Sequence, residues 1–240
     1  MGMSWTYEIA LRGPTEIDAD ANRGLTVAVQ NWFVAGPRQA LAALAGLASF
    51  DLYLPAHGPS HDPYNHDGAG PLMMLMLEFA GRDDLALAVN GSQLAAALAE
   101  LPTGVNASGA AFERRFYPVG ENTRPALLEA PFSYVVRYHR PADDEAVFIG
   151  NYLDTHPVTQ ARLPGIRSIM CYLPLDDLRA MKLAAANYMI GNEVVFDDIA
   201  AFNSAMASPV RQELREHYHA FPRFTGANTH FPMTRTRLVG

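Results

Sequence analysis

Tyr152 and His156 stand four residues apart in "NYLDTHPVTQARLPG" (151 to 165), which reads as the tail of a helix, a His-Pro stop and a turn into a strand. Phe148, Tyr152 and His156 recur at i, i+4 and i+8, so they share one helix face, flanked by Val147 and Thr155. An imidazole is the side chain best suited to move a proton near neutral pH. A phenol can donate a hydrogen bond to a developing enolate oxygen. Such a pair suits decarboxylation, dehydration or isomerisation of a phenolic or lactone substrate. The plainer alternative is that Tyr152 packs in the core while His156 bonds the carbonyls at the end of its own helix.

A second group lies on the strand "FSYVVRYHR" (132 to 140). Alternation puts Arg137 and His139 on one face and Val136 with Tyr138 on the other. An Arg137 that faces inward would anchor a carboxylate. With Tyr172 of the strand "GIRSIMCYLPL" (165 to 175), residues Arg137, Tyr138 and His139 complete the expected substrate contacts.

The loop "PAHGPSHDPYNHDGAGP" (55 to 71) carries His57, His61 and His66 beside Asp62 and Asp67. No pair of these histidines has the spacing of a zinc motif, so no metal is assigned, and the Pro and Gly content reads as loop or lid. His217 and His219 differ by two and point apart on a helix, and the Met-rich run "LMMLMLEF" reads as core. Neither a phosphate-binding glycine loop nor a nucleophile elbow occurs, which leaves no nucleotide cofactor indicated.

Composition narrows the classes further. The 240 residues are 49% hydrophobic and 18% charged, with a formal net charge of -7, and nothing in that balance reads as a nucleic-acid footprint. The longest apolar run, "PLMMLMLEFAG", stops at Glu78, too short to cross a bilayer, and the first residues lack the pattern of a secretion signal. Cys171 stands alone in an apolar strand and reads as a buried hydrophobe. The expectation is a cytoplasmic protein, monomer or homodimer, without membrane or nucleic-acid partners.

The elements that must position these residues repeat. After a linker over 121–131, the second half (132–240) reads as strand, an acid-started helix from Asp143 and Asp144, strand, a short helical stretch "LDDLRAMKLAAA", strand, a helix broken at Ser208-Pro209, and strand. The first half (24–120) reads in the same order, with strands over 24–34, 49–59 and 110–120, a helix over 36–48, and the shared "YLP". Residues 1–23 stand outside that order as an extension with an extra edge strand. Each βαββαβ unit would cover one sheet face with helices, and packing the two bare faces together would bury both. The expected fold is therefore α+β: two tandem ferredoxin-like modules packed sheet to sheet as an intrachain dimeric α/β barrel.

The segments "YHRPADDEAVFIGNYLDTHPVTQARLPGIRSI" and "EVVFDDIAAFNSAMASPVRQEL" resemble the EthD family of the dimeric α/β-barrel superfamily. The carrying residues are Tyr152, His156, Leu163-Pro164-Gly165 and Ser208-Pro209, over about 110 residues; the first half has no counterpart of the Tyr and His. The resemblance implies one working pocket. Its superfamily includes isomerases, cofactor-free monooxygenases, polyketide cyclases, decarboxylases and haem-handling enzymes, and fold analogy does not choose among them. The expectation is a cofactor-independent lyase or isomerase that uses Tyr152 and His156 on a small apolar aromatic or polyketide-like substrate in the barrel cavity. A non-catalytic ligand-binding or stress-related protein, and a haem-handling protein, are the alternatives.

Overall fold

The structure, a computed structural model, describes residues 3–14, 19–63, 67, 70–120, 131–180 and 183–240. His66 and all of the expected linker except Pro131 lie outside the described residues. The first half runs as strand β1 (Met3–Arg12), helices α1 (Ala19–Ala35) and α2 (Pro37–Ala42), strands β2 (Leu47–Pro55) and β3 (Met73–Phe79), helices α3 (Arg82–Asn90) and α4 (Ser92–Ala97), and strand β4 (Asn106–Tyr117). The second half runs as β5 (Phe132–His139), α5 (Glu145–Gln160), β6 (Ser168–Pro174), the two-residue β7 (Ala184–Ala185), β8 (Tyr188–Phe196), α6 (Ile199–Met206), α7 (Pro209–Ala220) and β9 (Asn228–Val239).

Local chemistry accounts for most of these boundaries. The Asp144 carboxylate accepts from Val147 N at 3.0 Å and starts α5; Asp198 does the same for α6 through Ala201 N at 2.7 Å. Pro209 opens α7, where its missing N–H is not needed, although the Ser208 side chain makes no capping bond. The segment expected as a strand over 24–34 is instead part of α1. Its buried residues Val29 and Phe33 stand four apart, and the Thr26 hydroxyl donates to Asn22 O one turn back at 2.9 Å. The β-branched identities there suggest a strand, but the burial follows the helical period. The stretch expected as a short helix after β6 holds turns and β7 among its described residues.

The expected pair of sheets packed face to face is overturned by the strand pairing. The order is β1-β3-β2-β9-β5-β8-β6-β4, and β1 also pairs with β4, which makes a closed barrel of eight antiparallel strands. The backbone ladder crosses between the halves twice, at β2–β9 and at β4–β6. Two separate sheets would leave four strand edges unpaired; closure leaves none in the ring. The supposed extra edge strand is β1, bonded on both sides. β7 adds a short parallel pairing outside the ring.

Alternation then sorts the side chains into three layers. Helices α1 to α4 cover one side of the barrel through Ile9, Leu11, Phe33, Phe50 and Leu75. Helices α5 to α7 cover the other through Tyr134, Tyr138, Phe148, Tyr152 and Phe202. The barrel interior is filled by Met74, Met76, Phe112, Met170, Tyr172 and their neighbours. It also holds charges. Arg137 bonds Glu8 through Nε at 3.0 Å and through Nη2, with both side chains essentially inaccessible. Glu193 accepts from Tyr53 at 3.1 Å, Ser133 at 2.6 Å and Tyr172 at 2.5 Å. Arg114 pairs with Glu78 at 2.7 Å.

Candidate functional site

Helix α5, which carries Tyr152 and His156, lies on the outer wall of the barrel. Its stripe of Phe148, Tyr152, His156 and Gln160 is buried against Tyr134, Val136 and Tyr138 of β5 and against α7. Ring centroids lie 5.4 Å apart for Tyr138 and Tyr152 and 4.8 Å for Tyr152 and His156. Phe221 closes on both, at 5.4 Å from Tyr152 and 5.3 Å from His156. At the foot of the stripe, Gln160 and Asn192 exchange amide bonds of 2.8 and 3.1 Å, and Asn192 also donates to Met170 O at 3.2 Å. This pair ties the last turn of α5 to the barrel wall.

His156 is not the end of its helix. The helix passes through Pro157 and continues to Gln160, because a proline removes one N–H and later residues resume the ladder, as with Ala161 N to Pro157 O at 3.0 Å. A histidine capping its own helix end is therefore not what is found. His156 is 8% exposed, and its buried Nδ1 has no hydrogen-bond partner. Burial, and then the positive potential of His217, Arg211 and His230, holds its pKa down at about 3. The ring is neutral throughout the neutral range. Burial pushes the phenols of Tyr138 and Tyr152 above their ordinary value, so both remain protonated donors.

These residues line a cavity of about 70 Å³ between the barrel wall and helices α5 and α7. The cavity is outside the barrel, whereas the expected one was inside it; the barrel interior is occupied by the side chains described above. The histidine-rich loop reaches the cavity wall through the carboxylate of Asp62. Asp62 Oδ1 accepts from Arg211 Nε and Nη2 at 3.1 and 2.7 Å, and Oδ2 accepts from the Tyr134 hydroxyl at 2.9 Å. Asp67 meets His230 Nδ1 at 2.9 Å and also accepts from its backbone N–H. His57 and His61 are exposed, and among the described residues no group of three potential ligands is placed to hold a metal ion.

Of the expected site residues, Tyr138, Tyr152 and His156 come together at this cavity. Arg137 and Tyr172 do not. Both point into the barrel, where the Arg137 guanidinium lies 4.7 Å from the Tyr172 ring centroid and anchors the protein's own Glu8. His139 lies beside Tyr188, with Nε2 3.2 Å from Thr229 Oγ1. Sequence reasoning missed Asp62, Arg211, Gln160, Asn192 and Tyr218 as cavity residues. A signal existed for α7, where Arg211, Leu214, Arg215 and Tyr218 recur at helical spacing.

A haem does not fit the cavity. Its volume is about half of the roughly 150 Å³ that admits a benzene molecule.

No protein-family model matches the chain, and no curated protein matches it in sequence. Solved structures share its fold across nearly its whole length. An anthrone oxidase-like protein aligns with a TM-score of 0.56 and 12% identity over 98% of this chain and 93% of its own. A protein named provisionally as a monooxygenase, from Lactobacillus acidophilus, aligns with a TM-score of 0.51 and 11% identity over 99% and 96%. At such identities the likeness shows the fold alone. An EthD-family protein from Bacillus halodurans covers 41% of this chain at 17% identity and a TM-score of 0.33, which carries no argument for that family. Among the described residues no helix is long and apolar enough to cross a membrane.

Proposed function

We propose that the chain is an enzyme that moves a proton on a small, largely apolar organic molecule, of the lyase or isomerase type, with His156 and Tyr152 as the working pair. The observation that carries this reading is the buried, unpartnered Nδ1 of His156, with Tyr152 beside it, in a cavity. An unsatisfied buried ring nitrogen costs about 1–3 kcal/mol, and a ligand that bonds it recovers that cost. In the reaction the neutral imidazole takes a proton from an acidic C–H of the substrate. The Tyr152 hydroxyl donates to the enolate oxygen that forms. The imidazolium and enolate arise as a pair in a site of low dielectric, where each stabilises the other.

The low pKa of His156 favours a second reading, binding without turnover, since a resting base this weak is a poor proton acceptor at neutral pH. Deuterium exchange separates the two. The wild-type protein is expected to accelerate deuterium incorporation from D2O at the α-carbon of small enolisable ketones such as acetone, and His156→Ala and Tyr152→Phe to lose that acceleration. Binding of the ketones without acceleration by the wild type, or equal acceleration by both variants, removes the catalytic assignment.

A further inference from the structure

Asp62 is the one acidic side chain lining the cavity among the described residues, and it is supplied by chain without regular secondary structure. Its carboxylate is held by the side-on fork of Arg211 and by the Tyr134 hydroxyl, three donors that converge from α7 and β5. That arrangement is a receptor for a planar carboxylate: two guanidinium N–H groups converge on one oxygen and a phenol bonds the other. Close by, the segment itself is fastened by His61 N donating to Asn203 Oδ1 at 2.8 Å and Asn203 Nδ2 donating to Pro59 O at 3.2 Å.

Volume supplies an independent argument. With Asp62 in place the cavity measures about 70 Å³, too small for an aromatic ring by comparison with the roughly 150 Å³ that holds benzene. Yet the walls next to His156 include the rings of Tyr138, Tyr152 and Tyr218, surfaces that pair well with a planar apolar body. The protein's own carboxylate occupies both the donors and the space that such a ligand needs.

We propose that Asp62 is a tethered stand-in for the acid group of the ligand, and that the ligand is a small aromatic carboxylic acid whose carboxylate replaces that of Asp62 on Arg211 and Tyr134. The assignment rests on the reading of this cavity as a ligand site. Anchored there, the ring of the ligand extends past Tyr138 and Tyr152 toward His156. A tethered carboxylate competes at high effective concentration, so the wild-type protein binds such acids weakly and selects those that also gain from the aromatic walls.

Calorimetric binding of benzoate and of its neutral counterpart, benzyl alcohol, tests this on the wild type, Asp62→Ala and Asp62→Asn, with thermal unfolding as a check that each is folded. The gain in Asp62→Ala is expected to be about tenfold or more larger for benzoate than for benzyl alcohol, which gains from the freed space alone; in Asp62→Asn, which keeps the volume, benzoate still gains while benzyl alcohol changes less than about threefold. Adding Arg211→Ala to Asp62→Ala should return benzoate to the wild-type affinity or below. An equal gain for both probes would show that Asp62 only fills volume, and overturns the carboxylate assignment. Binding of benzyl alcohol with no gain for benzoate in either variant overturns it too, and leaves the ligand site standing. Binding of neither probe to any of the proteins overturns the proposal and the ligand-site reading together.

Discussion

Asp62 and Arg211 are 149 residues apart in the chain, and their side chains meet at 2.7 Å in the wall of one cavity. The contact fastens a loop of the first half to the last long helix of the second. The two partners are not equally deep, since the Asp62 side chain is 3% exposed and that of Arg211 14%. Removing the shallower partner leaves the deeper carboxylate without its guanidinium counter-charge. Arg211→Ala is therefore expected to destabilise the protein by about 2–4 kcal/mol, and Asp62→Ala by less, because the guanidinium can turn toward water. Urea unfolding of both variants measures the order, and a larger loss for Asp62→Ala would refute it.

His156 makes stability depend on pH in a defined window. Its folded pKa of about 3 lies below the ordinary 6.5, so between those values the unfolded chain binds a proton that the folded one does not. Stability from this group is intact above pH 6.5 and falls as the solution is acidified toward pH 3, by on the order of 4 kcal/mol in total. Replacing it by an uncharged residue of similar size, His156→Gln, should flatten the acid limb of a plot of unfolding free energy against pH. Parallel acid limbs for the two proteins would contradict the burial argument.

At Tyr152 one substitution separates folding from the proposed chemistry. Its packing consists of ring contacts with Tyr138, Phe148, His156 and Phe221, all of which a phenylalanine keeps. Tyr152→Phe should unfold within about 0.5 kcal/mol of the wild type, while deuterium exchange on an enolisable ketone falls at least about tenfold. A variant that loses stability and exchange together would make Tyr152 a structural residue.

Inside the barrel, Arg137 and Glu8 form a pair that has no part in the cavity. Arg137→Met or Glu8→Gln alone should cost about 3–5 kcal/mol, since each leaves an uncompensated buried charge. Arg137→Met with Glu8→Met should recover most of that loss, and neither protein that folds should bind a cavity ligand differently. A double variant as unstable as the sum of the singles would show that the two side chains act independently, and would contradict the stranded-charge account.

Legibility in the sequence follows the range of the interactions. The second half can be read because its signals are local: Asp144 and Asp198 sit where helices begin, Pro209 opens a helix, and β5 alternates cleanly. In the first half "LTVAVQNWFV" misleads, since β-branched identity and helical spacing disagree and tertiary burial sides with the spacing. Barrel closure is illegible for a different reason. Whether β2 finds β9 or stays an edge is decided by a partner some 180 residues away, and no local pattern records it. The site divides along the same line. Tyr152 and His156 declare themselves through helix periodicity, whereas Asp62 acquires its role only from Arg211 and Tyr134. In its own loop the histidines draw attention, and those described, His57 and His61, are exposed.

The charges sealed in the barrel also act as a checksum on its strands. A slip of β5 by one residue against β8 would turn Ser133 and Arg137 out among the aromatic rings under α5 and turn Tyr134, Val136 and Tyr138 inward. Glu8 would then lose Arg137, and Glu193 would lose the Ser133 hydroxyl, each in a place water does not reach. An apolar interior would tolerate the slipped pairing with a change of fit; this one rejects it residue by residue. The same register puts Tyr138 opposite Tyr152, so an error in threading the barrel would be read out as a missing cavity wall.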